Sequence, residues 1–183
     1  CRLPSGAELS VNRLALESDL IVAEGFIEPH FFAGFSGGRK SILPAICSKE
    51  TVNENHSAKA ISHPNAVTGV LEGNPIHEDM ACAARRVGLA FILNVAMDAE
   101  KRIVAAFAGD CIEAHARGCA FVSDMCGVDR VQSDIVITTN GGYPLDQNLY
   151  QTPKGVSAAA ACAAEGGVLI LGASLCDGIG GTN

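Results

Sequence analysis

The chain contains no tryptophan among its 183 residues, and its aromatic content is only 5%. No apolar run approaches the roughly 20 residues needed to cross a bilayer, so no membrane partner is expected. Positive charge is in deficit: the formal net charge of -7 argues against a nucleic-acid surface. There are eight cysteines but no C-x-x-C pair, so a zinc cluster lacks its usual spacing. No secretory leader is visible. The chain begins at Cys1 and not at Met, as expected of a piece of a longer protein, so that absence excludes nothing.

What is present is 48% apolar residues, 18% charged residues and 20 glycines, the profile of a compact, Ala- and Gly-rich α/β protein. The cysteines sit mostly in apolar stretches such as Ala81-Cys82-Ala83 and Ala161-Cys162-Ala163. They read as buried free thiols, which suits a reducing cytoplasm. In such a compartment the Asn55-His56-Ser57 sequon is coincidental.

The hydrophobic pattern predicts a buried strand over 18–24, a long Gly- and Phe-rich loop over 26–44 and a helix over 48–61. Asn74 followed by Pro75 opens a further helix, with Ile76, Met80, Ala83 and Val87 on its apolar face and Gly88 as its stop. Residues 90–97 and 102–107 read as a hairpin, and Asp110 with Glu113 opens the next helix. A strand over 134–139, a loop over 140–151, a helix from Thr152-Pro153 to about Glu165 and a strand over 168–171 form a parallel βαβ unit. Gly166-Gly167 is read as the stop of that helix. The fold class is therefore α/β, a parallel or mixed sheet with βαβ units flanked by helices. Two domains are expected, 1–132 and 133–183.

In open α/β sheets ligands bind beyond the carboxyl ends of strands, so the loops after 18–24 and 134–139 are the candidate sites. The first, over 28–40, carries His30, three Phe, three Gly and the pair Arg39-Lys40. Loops of this composition usually serve function. A nucleotide phosphate loop is the rival reading, but Arg39 stands where that motif needs the glycine directly before Lys. In the second loop Lys154 falls in the first turn of a helix, where the dipole disfavours a cation. A bound anion reverses that sign, and a small carboxylate suits the place.

The segments PHFFAGFSGGRK at 29–40, NENHS at 53–57, GNPIH at 73–77 and LYQTPKG at 149–155 resemble the lactate racemase family, over essentially the whole chain. The resemblance implies a fragment of a two-domain 2-hydroxyacid racemase or epimerase that uses a nickel-pincer nucleotide. It implies that Lys40 is the covalent attachment lysine and His56 the nickel ligand. It further implies His30 as one of two catalytic histidines, and Tyr150, Gln151 and Lys154 as the substrate-binding group. Ser36, Gly37 and Arg39 are expected as further cofactor contacts. Hydride transfer from the 2-hydroxyacid, with His30 as general base, is the implied chemistry, and cofactor-synthesis proteins are implied partners. The second base and the phosphate-binding groups are expected outside this chain, so the isolated fragment is expected to lack cofactor and to be inactive. His63, His77 and His115 read as structural or solvated. The alternatives are a phosphate- or nucleotide-binding domain without redox chemistry, and an inactive scaffold homologue.

Overall fold

The computed structural model describes residues 1–180. The chain divides into two compact units, Cys1–Gly127 and Val128–Asn183.

Unit 1 begins with the short helix α1 (Arg13–Leu16) and the strand β1 (Ile21–Phe26), followed by a two-residue strand pair, β2 (Pro29–His30) and β3 (Gly34–Phe35). A 3-10 turn at Gly38–Ser41 comes next, then α2 (Lys49–Asn55), α3 (Ala58–Ile61), α4 (Pro75–Val87), β4 (Leu89–Met97), β5 (Ile103–Gly109) and α5 (Glu113–Cys126). The main sheet has the order β1-β4-β5, with β1 parallel to β4 and β4 antiparallel to β5. It is a mixed sheet, as the sequence pattern allows. The core beside it gathers Ile42, Leu43, Ile76, Met80 and Ile92, each at most 2% exposed. Helix α4 follows the sequence logic closely. The Asn74 side chain accepts from Ile76 N and His77 N, Pro75 takes the first turn, and Gly88 ends the helix in the left-handed region at φ 83°.

Unit 2 holds the parallel pair β6 (Ser133–Thr139) and β7 (Ala163–Gly172), joined through α6 (Pro153–Ala160). The βαβ expectation is met, but its boundaries shift. Helix α6 ends at Ala160, and Ala163 already pairs with Ser133. Between the pairs Ser133–Ala163 and Ile135–Val168 the register jumps, so Gly166 (φ 79°) and Gly167 sit inside the strand as an irregularity. Here sheet pairing outweighs the helix propensity of alanine. Thr152 does not act as a side-chain cap either: its hydroxyl donates back to Leu149 O at 2.8 Å. Instead Asn148 caps a preceding 3-10 turn, Leu149–Gln151, which leads into α6.

Two unit 1 expectations are also corrected. The predicted helix over 48–61 is two helices, because the Ser57 side chain caps a new one by accepting from Ala60 N. His56 thereby falls in the break, as the C-terminal cap of α2. The predicted loop over 26–44 contains the β2–β3 pair, in which His30 faces Gly34. All eight cysteines are free, but only Cys111 and Cys119 are fully buried, while Cys1, Cys126 and Cys176 are exposed. No helix among the described residues is long and apolar enough to cross a membrane.

Candidate functional site

The β2–β3 pair and the 3-10 turn fold the 29–41 segment back on itself. Gly37 and Gly38 make this possible. Their φ angles are +77° and +53°, and a Cβ at Gly37 would lie 2.8 Å from Asn94 Oδ1, while one at Gly38 would lie 2.7 Å from the His115 ring. Both positions therefore need glycine on conformational and on steric grounds. From β4, the fully buried Asn94 accepts a hydrogen bond from Gly38 N at 2.7 Å, pinning the turn to the sheet.

The turn brings Lys40 Nζ to 3.3 Å from His30 Nε2. His30 Nδ1 meets the backbone N–H of Ala33 at 3.3 Å and of Phe32 at 3.5 Å. The buried Phe32 ring is the hub. The His30 ring stands edge-on to it at 4.6 Å, the His56 ring edge-on at 5.0 Å, and Lys40 Nζ lies 5.9 Å from its centroid. The three residues singled out in the sequence, 30, 40 and 56, thus converge on one phenyl ring although they come from three separate elements.

The His56 pKa is lowered, first by burial and then by the Lys40 charge, against a raising effect of the Val52 carbonyl. Its Nδ1 lies 3.1 Å from Val52 O. A neutral ring donates from Nδ1 there, which leaves the lone pair on Nε2, the arrangement usual for a metal-ligating histidine. Among the described residues no three His, Cys, Asp or Glu side chains gather into a metal cluster.

Ser36, Gly37 and Arg39 frame the loop. The Ser36 hydroxyl accepts from Glu28 N at 2.9 Å and donates to Phe26 O at 3.1 Å. Arg39, expected as a cofactor contact, is 0% exposed and directed inward. Its Nη2 donates to Ala33 O and its Nη1 to Phe35 O, both at 2.8 Å, and its Nε donates to His77 Nδ1 at 3.0 Å. The inward turn has a plain cause: the loop points four carbonyls towards its own centre, and the guanidinium fills that centre.

The remaining histidines, read from the sequence as structural or solvated, make the following contacts within unit 1. Burial, then the Arg39 charge, holds His77 down to about 4 and His115 down to about 3. His115 Nε2 lies 2.8 Å from Ser36 O and 3.0 Å from Arg39 Nη1. His63 Nδ1 accepts from Asn65 N within a turn. Sequence reasoning missed the framing roles of Asn94 and Arg39. A polar residue within the apolar run FILNVAM was the available signal for Asn94.

In unit 2, Tyr150 is 71% exposed, Gln151 is half-buried and Lys154 is exposed. The three lie together at the 3-10 turn and the start of α6. Asn140, just past β6, accepts from Gly155 N at 3.0 Å and donates to Leu145 O. Asp146 is 8% exposed and accepts from Ser174 N at 3.0 Å. These contacts hold the 140–151 loop against the start of α6 and the segment after β7.

Fold and site together describe an α/β chain that collects two imidazoles and one amine around a buried phenyl ring. The family models for the lactate racemase N-terminal domain and C-terminal domain match residues 1–69 and 128–183. The chain belongs to the lactate racemase family. It is similar to a lactate racemase of Thermoanaerobacterium thermosaccharolyticum, 59% identical over 98% of this chain, and to one of Lactiplantibacillus plantarum, 54% identical over 98%. It spans 42% of the length of each of these curated relatives. Among solved structures, the lactate racemase apoprotein of T. thermosaccharolyticum superposes with a TM-score of 0.96 at 58% identity, covering 100% of this chain and 44% of that one.

Proposed function

We propose that this chain is part of a 2-hydroxyacid racemase of the lactate type, working with a nickel-pincer nucleotide. The convergence of His30, Lys40 and His56 on Phe32 carries the reading. When bound, that cofactor supplies a soft metal centre and an acceptor for a hydride. Lys40 is the tethering amine, and His56 offers Nε2 to the metal.

The chain's own residues do the proton chemistry. Removing the C–H hydrogen of a 2-hydroxyacid as a proton is hard beside a carboxylate. Removing it as a hydride is eased when the hydroxyl is deprotonated at the same time. His30 Nε2, the ring nitrogen beside Lys40, takes that proton. Doing so requires the ring's own proton on Nδ1, at the expense of the two long backbone contacts there. Phe32, buried beneath the cluster, keeps water from one side and strengthens the electrostatics above it. Lys154, Tyr150 and Gln151 bind the substrate carboxylate and orient the hydroxyl. Lys154 stands in the first turn of α6, where helix dipole and ammonium attract the same anion.

The test uses the full-length protein produced together with the cofactor-synthesis proteins. Intact-mass and peptide analysis is expected to find the adduct on Lys40, and Lys40→Ala is expected to abolish lactate racemisation. Active enzyme with an unmodified Lys40 would overturn the attachment assignment. An adducted protein that leaves chiral 2-hydroxyacids untouched would overturn the racemase assignment.

A further inference from the structure

The fully buried Arg39 has no carboxylate partner: among the described residues the ion pairs are those of Arg13 and Arg102. A guanidinium in that setting is stabilised only if its donors are met, because burying an unmatched charge is costly. The loop meets them with backbone carbonyls. Nη2 donates to Ala33 O and Nη1 to Phe35 O, with Ser36 O at 3.3 Å and Gly37 O at 3.2 Å also around Nη1. Nε donates to His77 Nδ1. A guanidinium has no acceptor, so His77 must carry its proton on Nε2.

Two of the peptides so held lead straight to the site. Ala33 gives its carbonyl to Arg39 and its N–H to His30 Nδ1. Gly37 gives its carbonyl to the Lys40 N–H at 3.1 Å and lies within reach of Arg39 Nη1. Lys40 is also the next residue along the chain. One side chain therefore ties down both partners of the 3.3 Å contact between Lys40 and His30.

We propose that Arg39 is the positioning residue of this site, and that its planar fork of donors, rather than its charge, sets the placement of Lys40 against His30. The proposal rests on the functional reading above for the importance of those two residues, but its geometry stands without it. A lysine keeps the charge but is a point donor on a flexible stem, and cannot reach Ala33 O, Phe35 O and His77 together.

The test uses full-length protein without cofactor, treated with a limiting amount of an acetylating N-hydroxysuccinimide ester. Acetylation is read by peptide mass spectrometry as the ratio of Lys40 to the exposed Lys49 and Lys59. In the wild type Lys40, half-buried and held, reacts more slowly than the other two. Arg39→Lys and Arg39→Met are expected to raise the ratio by threefold or so, through loosening of the loop. Val122→Ala, in the cluster under α5 that also holds Ile27 and Phe35, lowers stability without removing an Arg39 hydrogen bond and is expected to raise the ratio less than the Arg39 variants do. In cofactor-loaded enzyme Arg39→Lys is expected to lower kcat on the order of 10- to 100-fold, as misplacement of a catalytic group does, with little change in KM.

A wild-type labelling ratio in Arg39→Lys overturns the proposal, because charge alone then suffices. A shift equal to that of Val122→Ala also overturns it, because stability alone then explains the effect. Should neither Arg39 variant fold, long-range 15N correlation spectra of the wild type decide: a His77 proton on Nε2 supports the fork, and one on Nδ1 overturns it. Labelling and spectra read the same whether or not the loaded protein racemises hydroxyacids, so failure of the functional reading is separable from failure of this one.

Discussion

Asn94→Ala offers a direct measure of how the site is anchored. The Asn94 side chain is 0% exposed in β4, and its Oδ1 accepts from Gly38 N at 2.7 Å. Gly38 is itself buried, so truncation leaves an amide N–H with no partner. An orphaned buried donor costs about 1–3 kcal/mol. The void left by the lost carboxamide adds to this, giving about 2–4 kcal/mol for the segment. Because the full-length protein holds more than one compact unit, a global melting curve mixes contributions. Hydrogen exchange at the Gly38 and Lys40 amides reads the local free energy instead. Exchange at Gly38 is expected to accelerate by 30-fold or more, since each 1.4 kcal/mol is tenfold. An acceleration under about threefold would mean that the turn holds itself, and that the sheet does not fix Lys40.

Other consequences are open to simpler assays. His77 and His115 are held down to about 4 and about 3 against 6.5 in an unfolded chain, so below pH 6.5 the unfolded state takes up protons that the folded state refuses. Unit 1 stability is therefore full above pH 6.5 and falls as the pH drops towards 4; urea unfolding of the full-length protein across that range, with His115→Gln expected to reduce the slope, checks it. Gly38→Ala places a methyl group 2.7 Å from the His115 ring at φ +53° and is expected to destabilise the segment by at least about 2 kcal/mol, read by the same exchange measurement. His56→Ala is expected to lose nickel by metal analysis while keeping the Lys40 adduct by intact mass; retention of stoichiometric nickel would remove His56 from the ligand set.

Much of the fold is legible because local rules and tertiary structure agree. In α4, cap, proline, apolar face and terminal glycine all point the same way, and the helix appears where the pattern puts it. The β4–β5 hairpin is likewise announced by two apolar runs around the turn at Asp98–Lys101. Boundaries fail where long-range pairing decides. The alanines at 163 and 164 carry helix propensity, but the parallel partner β6 takes them into a strand. The candidate residues of the first loop were readable through motif resemblance and composition, since glycine, histidine and a basic pair crowd one segment. Their support was not. That Arg39 turns inward and Lys40 turns to His30 depends on the loop closing over a guanidinium, and neighbouring basic residues carry no local sign of which will be buried.

The break between α2 and α3 shows how such support reaches function. Ser48 and Ser57 each cap a helix start, with the Ser48 side chain accepting from Thr51 N and the Ser57 side chain from Ala60 N. The second cap forces the chain out of helical geometry one residue earlier, at His56. In a continuous helix the Val52 carbonyl would be used by one backbone N–H alone. At this terminus it meets both His56 N, at 2.8 Å, and His56 Nδ1, at 3.1 Å. The ring is thus fixed by a carbonyl that also accepts the last backbone bond of α2, with Nε2 carrying the lone pair. Ser57→Ala, which removes the cap and restores helix continuity, is therefore expected to turn the His56 ring and weaken metal retention at little cost in stability, of about 1 kcal/mol. Nickel retention equal to the wild type in Ser57→Ala would show that the break does not set the ligand.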